Sequence, residues 1–130
     1  MNHTTAADVI NFFESSFADK QVLPRTLELI WLEKAIGRYS FELSPLNYNR
    51  EIQEFDMILN CYTIDTLAVF MKESYQERQV SLVNKRVSIA GRDLSIDASD
   101  HSKKYAENEL HYISAKAREM VANQKLEASL

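Results

Sequence analysis

The chain has 130 residues, a net charge of −4, one cysteine, two glycines and two prolines. That length suits a single domain with a hydrophobic core that needs neither disulfide nor metal. One thiol excludes an internal disulfide, and so few glycines and prolines disfavour a many-stranded sheet and favour long helices.

The first predicted helix covers roughly 5–19. Thr4 or Thr5 supplies a side-chain oxygen to cap it. Val9, Phe13 and Phe17 recur every fourth residue, and Ile10 and Phe12 widen that face. A second helix runs over about 24–39, opened by Pro24, whose fixed φ suits a first turn. Leu27, Ile30, Trp31 and Ala35 form one stripe, and Leu29, Leu32 and Ile36 an adjoining one, so this helix is expected at the centre. Ser44-Pro45 closes the region, because proline disfavours helix in the residue before it.

Helical spacing of Ile52, Phe55, Leu59, Tyr62, Leu67, Phe70 and Met71 predicts a long third helix from about Asn49 to Asn84. The β-branched Thr63, Ile64 and Thr66 point to a kink or break near Cys61–Asp65. Next the period changes. Val87-Ser88-Ile89 and Leu94-Ser95-Ile96 alternate around a glycine-containing turn, which predicts a short hairpin. Two strands alone are marginal in water, so this hairpin is expected to pack on the helices or on a neighbouring subunit. A last helix covers about 100–125. Ala106, Leu110, Ile113, Ala117 and Met120 step by four, three, four and three, the seam of a helix lying along another helix. Tyr105 and Tyr112 flank that seam. The tail Leu126–Leu130 has no structural signal of its own.

Little in the chain suggests chemistry. His3, His101 and His111 form no His-x-x-x-His pair and there is no Cys-x-x-Cys, so neither a metal site nor a cofactor is expected. Cys61 lies in an apolar run and is expected as a buried free thiol, in keeping with synthesis in a reducing compartment. Carboxylates such as Glu51/Glu54 and Glu107/Glu109 sit among polar neighbours and read as helix surface. Gly37 and Gly91 alone cannot form a phosphate-cradling loop. Residues 1–60 hold nine acids and five bases, and 61–130 hold ten of each, so neither half has the basic excess of a nucleic-acid binder. The locally basic stretch, Lys85, Arg86, Arg92, Lys103 and Lys104, is diluted by Asp93, Asp97 and Asp100. Apolar runs are too short and interrupted to span a bilayer, and the start lacks a secretory pattern.

Two stretches carry a family likeness. One is Leu27-Glu-Leu-Ile-Trp-Leu-Glu-Lys-Ala-Ile-Gly-Arg-Tyr-Ser-Phe-Glu-Leu-Ser-Pro-Leu46 with the following Phe55-Asp56. The other is Val83-Asn-Lys-Arg-Val-Ser-Ile-Ala-Gly-Arg-Asp-Leu-Ser-Ile-Asp97 with its lysine-bearing helix. Together they resemble head–tail connector, or neck adaptor, proteins of tailed phages and prophages of Gram-positive bacteria. The resemblance implies a helical virion subunit, made in the host cytoplasm. It would assemble as a ring, typically a dodecamer, on the portal protein and present a surface to the next neck or tail-completion protein. DNA would pass through without sequence-specific binding, and an acidic chain suits such a channel. The resemblance further implies portal docking by the C-terminal segment 120–130.

The sequence therefore predicts one mainly α domain over 1–130, a small helical bundle with a short β-hairpin between the third and last helices. Residues 1–4 and 126–130 are expected to be loose in the free chain. The expected role is non-enzymatic, either a ring-forming connector or another helical protein–protein interaction module. Interaction residues would come from the hairpin (Ile89, Arg92, Leu94, Ile96) and the C-terminal segment (Met120, Val121, Lys125, Leu126, Leu130).

Overall fold

The computed structural model describes residues 3–17, 23–90 and 96–129. Among these the chain is mainly α, with helices α1 (Ala6–Ser15), α2 (Arg25–Glu42), α3 (Cys61–Ala90) and α4 (Ile96–Ser129). One antiparallel hairpin, β1 (Tyr48–Asn49) and β2 (Glu54–Phe55), lies between α2 and α3.

A reciprocal capping box starts α1. The Asp8 N–H donates to Thr5 Oγ1 at 3.2 Å and the Thr5 N–H donates to Asp8 Oδ2 at 2.9 Å. Val9, Ile10 and Phe13 are buried beneath it, as their spacing predicts. Thr4, expected in a loose terminus, is buried instead. Its N–H donates to Met57 O, its carbonyl accepts from the Phe55 N–H, and its Oγ1 accepts from the Leu59 N–H at 2.8 Å. Every polar group of that residue has a partner, so the N-terminal segment is fixed to the hairpin region.

Helix α2 is not the centre that its wide apolar pattern predicts: α3 packs on α1, α2 and α4, and α2 buries one face while Ile30 of the predicted stripe stays exposed. Trp31, Leu32, Ala35, Ile36 and Tyr39 are buried. Trp31 meets Phe13 and Tyr75 edge-on at 6.3 and 6.2 Å between ring centres, favoured by ring quadrupoles. Arg38 holds the end of α2 to α3, with its guanidinium 2.6 Å from Glu73 and 4.2 Å above the Phe70 ring.

The third helix begins later than its apolar spacing predicts, and the hairpin falls before it. The Asn49 side chain accepts the Glu51 N–H at 2.9 Å, which diverts the backbone into a turn. Gln53 completes that turn with a φ of 56° and gives its carbonyl to the Ala6 N–H. Phe55 is buried across the pair from Tyr48, with ring centres 5.0 Å apart, while Ile52 is exposed. Their helical spacing was therefore coincidental. Asn60 caps α3 by accepting the Thr63 N–H at 2.7 Å. Cys61, expected in the core, is exposed on the first residue of that helix.

Helix α3 shows no break at Thr63–Thr66; it is continuous from Cys61 to Ala90. The threonines serve a polar network instead. Gln124 Nε2 donates to Thr66 Oγ1 at 2.7 Å, Tyr39 Oη donates to Gln124 Oε1 at 3.1 Å, and Thr63 Oγ1 lies 3.3 Å from Tyr39 Oη. One cluster thus joins α2, α3 and α4.

The hairpin expected at 87–96 is not formed as such. Val87, Ser88 and Ile89 continue α3, Ile96 opens α4, and 91–95 lie outside the described residues. Three alternating residues are too few to stop a helix already under way, because extension carries no nucleation cost. Thr66 meets Gln124 while Val83 and Tyr105 line a common groove farther along, so α3 and α4 run antiparallel. The predicted seam faces α3: Ala106, Ile113, Ala117 and Met120 are buried and Leu110 packs on the core. The tail is helical as far as Ser129.

Candidate functional site

Two exposed surfaces stand out. The first is a groove of about 650 Å³ between α3 and α4, closed at one end by Ser16 and Phe17 after α1. Its α3 wall carries Lys72, Gln76, Gln79 and Val83, and its α4 wall carries Tyr105, Glu109 and Tyr112. Tyr75 and Ile113 form the floor and continue into the core. The volume lies in the range of sites that hold a ligand or a partner's side chains.

Two features give the groove its chemistry. Tyr105 and Tyr112, seven residues apart, are 70% and 65% exposed, which is unusual for aromatic rings of this size. Lys72 is partly desolvated at the Phe17 end, with Nζ 5.6 Å from the centre of that ring. Its pKa is lowered from 10.5, first by burial and then by Lys116, against a smaller upward pull from Asp65. Lys72 therefore places an ammonium group at the Phe17 end of the groove, with Lys116 close enough to act on it. Glu109 lies farther along; it is seven residues from Lys116, or roughly 10 Å of helix rise.

The second surface is the outer face of α2. Ile30, Lys34, Gly37 and Phe41 follow one another at helical spacing and are all exposed, Phe41 at 91% and Ile30 at 53%. A Cβ added at Gly37 would meet nothing within 4 Å. The fold itself therefore places no demand for glycine there, although glycine inside a helix costs about 0.5–1 kcal/mol relative to alanine. Tyr39, two residues on, points the opposite way into the core.

The interaction residues expected from sequence divide. Met120 and Val121 are buried in the chain's own core against α3, so they are not offered to a partner. Leu126 is exposed near the end of α4, and Lys125 beside it is exposed. Ile89 lies on α3 and Ile96 at the start of α4. Arg92, Leu94 and Leu130 lie outside the described residues. The groove's Tyr105 and Tyr112 were legible as flanking the seam. Phe41 was missed: its only sequence signal was an aromatic off both apolar stripes of its helix.

Among the described residues no cluster of three or more His, Cys, Asp and Glu side chains could hold a metal, and no helix is long and apolar enough to cross a membrane. His3 sits 3.9 Å from Glu54 beside the hairpin, and His111 is exposed on α4. No protein-family model, curated protein or solved structure matches the chain.

Proposed function

We propose that the chain is a structural assembly subunit, a ring-forming head–tail connector that binds a portal ring and extends a DNA channel. The observation that carries this reading is the large aromatic surface offered to solvent on stiff helices: Phe41 on α2, and Tyr105 and Tyr112 on α4. Exposed apolar groups grouped on rigid elements mark protein–protein contact sites, because leaving them in water forfeits hydrophobic free energy that a partner recovers. The likeness of 27–46 and 83–97 to neck adaptors gives that partner its kind. The reach of α3 and α4, 30 and 34 residues or roughly 45 and 51 Å, suits a subunit that spans between neighbours in a ring.

Light scattering over a concentration series, alone and with a portal ring from the same source, tests the proposal. A closed ring or a stoichiometric complex with the portal is the expected result. A monomer indifferent to the portal overturns it. A closed two-fold dimer would favour a different helical interaction module.

A further inference from the structure

The two exposed surfaces match each other. On α2, Ile30, Lys34, Gly37 and Phe41 are separated by four, three and four residues. On α4, Tyr105, Glu109, Tyr112 and Lys116 have the same separations. We infer that the outer face of α2 in one copy docks, parallel, into the α3/α4 groove of a second copy. This deepens the assembly-subunit reading and rests on it.

The pairing is chemical at each step. Ile30 meets the exposed Tyr105 ring, which buries two apolar groups. Lys34 meets Glu109, with opposite charges. The bare backbone at Gly37 receives the Tyr112 ring, which gives the glycine a purpose that its own fold does not. The Phe41 ring arrives at the Lys72–Lys116 end beside Phe17, where an aromatic face is attracted to the ammonium groups.

The opposite orientation fails on the same criteria. Reversed, Ile30 would face Lys116, Lys34 would face Tyr112, and Glu109 would face Gly37 with no cation. Charge therefore selects the parallel arrangement.

Within one chain the match cannot be satisfied. The α2 stripe faces away from α3, since Tyr39 and Trp31 on the other side of α2 occupy the core. Each copy thus offers one α2 face and one groove, on different surfaces. A contact between two unlike surfaces is head-to-tail, and it closes into a ring or continues as a filament.

Charge reversal with complementation tests this contact. Lys34→Glu and Glu109→Lys are made separately, and self-association is followed by light scattering or sedimentation. Lys34 is exposed and Glu109 half-exposed, so both variants should keep the wild-type circular dichroism and melting cooperativity. Each alone should associate roughly tenfold more weakly than wild type, because like charges then face each other. Mixed in equal amounts they should recover association, since every contact between unlike copies again pairs opposite charges. Phe41→Ser, at a position that contributes nothing to the core, should weaken association without recovery by either partner.

Wild-type assembly unchanged by all three substitutions would overturn the α2–groove contact and leave the ring reading standing. A wild-type monomer at every concentration would also overturn it; if that monomer still joined a portal ring, the connector reading would survive on its own. Loss of association without recovery on mixing would likewise overturn it, because the charges would then not face each other.

Discussion

The two halves of the α3/α4 helical pair are built differently. Toward the start of α3 and the end of α4, helices α1 and α2 add a second layer. There Leu67, Val69, Met71, Ile113, Ala117 and Val121 are buried around the Phe13–Trp31–Tyr75 aromatic cluster. Farther out, none of residues 76–85 of α3 is buried, and over 103–112 α4 contributes the buried Ala106 and the half-buried Leu110. The first region spends its apolar residues on a core, and the second leaves its aromatic rings in solvent beside a groove. Stability should therefore reside in the base and recognition in the arm.

Trp31→Ala offers the harshest test. A large aromatic removed from the core should cost about 3–5 kcal/mol in chemical denaturation. A loss below about 1 kcal/mol would show that the base is not the stabilising unit. Gln124→Ala comes next. It removes one hydrogen bond each from Thr66 and Tyr39, which keep the Tyr62 carbonyl and Thr63 Oγ1 as partners, and two such bonds at about 0.5–1.5 kcal/mol each come to about 1–3 kcal/mol. Tyr112→Ala in the arm should shift stability by less than about 1 kcal/mol, since most of that ring is already in water. Hydrogen exchange sharpens the contrast further. Amides at 79–84 and 103–110 should exchange through local opening, faster than those at 67–71 and 113–121. Equal protection along both helices would remove the distinction.

Smaller still is Gly37→Ala. The added methyl meets open space, so the isolated chain should gain about 0.5–1 kcal/mol. If the α2 face docks as inferred, the same substitution weakens self-association, and stability and assembly move in opposite directions. The smallest effect is one of pH. Lys72 has a lowered pKa in the folded chain, so the unfolded chain binds its proton more tightly. Stability from this group is therefore lowest at neutral pH and rises as pH climbs through the folded pKa toward 10.5. Tyr48 acts the other way. Burial and Glu33 raise its pKa from 10.0, so above that value the unfolded chain ionises first and stability falls. A Lys72→Gln variant should lose the rise and retain the fall, which denaturation melts between pH 8 and pH 11 would reveal.

The apolar periodicity of α1, α2 and α4 was legible in the sequence because each helix buries one face in the shared core. The segment at 47–60 was not. There the apolar spacing imitated a helix, and the deciding groups were two asparagine side chains, Asn49 and Asn60, whose oxygens captured backbone N–H groups. Short polar contacts of this kind leave no trace in a hydrophobic pattern. The expected hairpin at 87–96 failed for the converse reason, since local alternation yielded to a helix already formed. Of the candidate surface, Tyr105 and Tyr112 could be read from their place beside the seam. The outward face of α2 could not, because only the packed structure shows which stripe is left over.

The Tyr39–Thr63–Thr66–Gln124 cluster has one more effect. Two antiparallel helices joined by a short connection can in principle slip past each other by one turn, about 5.4 Å, with little change in how their apolar seams meet. In the observed alignment Gln124 donates to Thr66 and accepts from Tyr39, and a one-turn slip would break both hydrogen bonds. The cluster therefore acts as a detent. It fixes the longitudinal alignment of α4 on α3 far from the groove, and so fixes the spacing at which Tyr105, Glu109 and Tyr112 face Val83, Gln79 and Gln76.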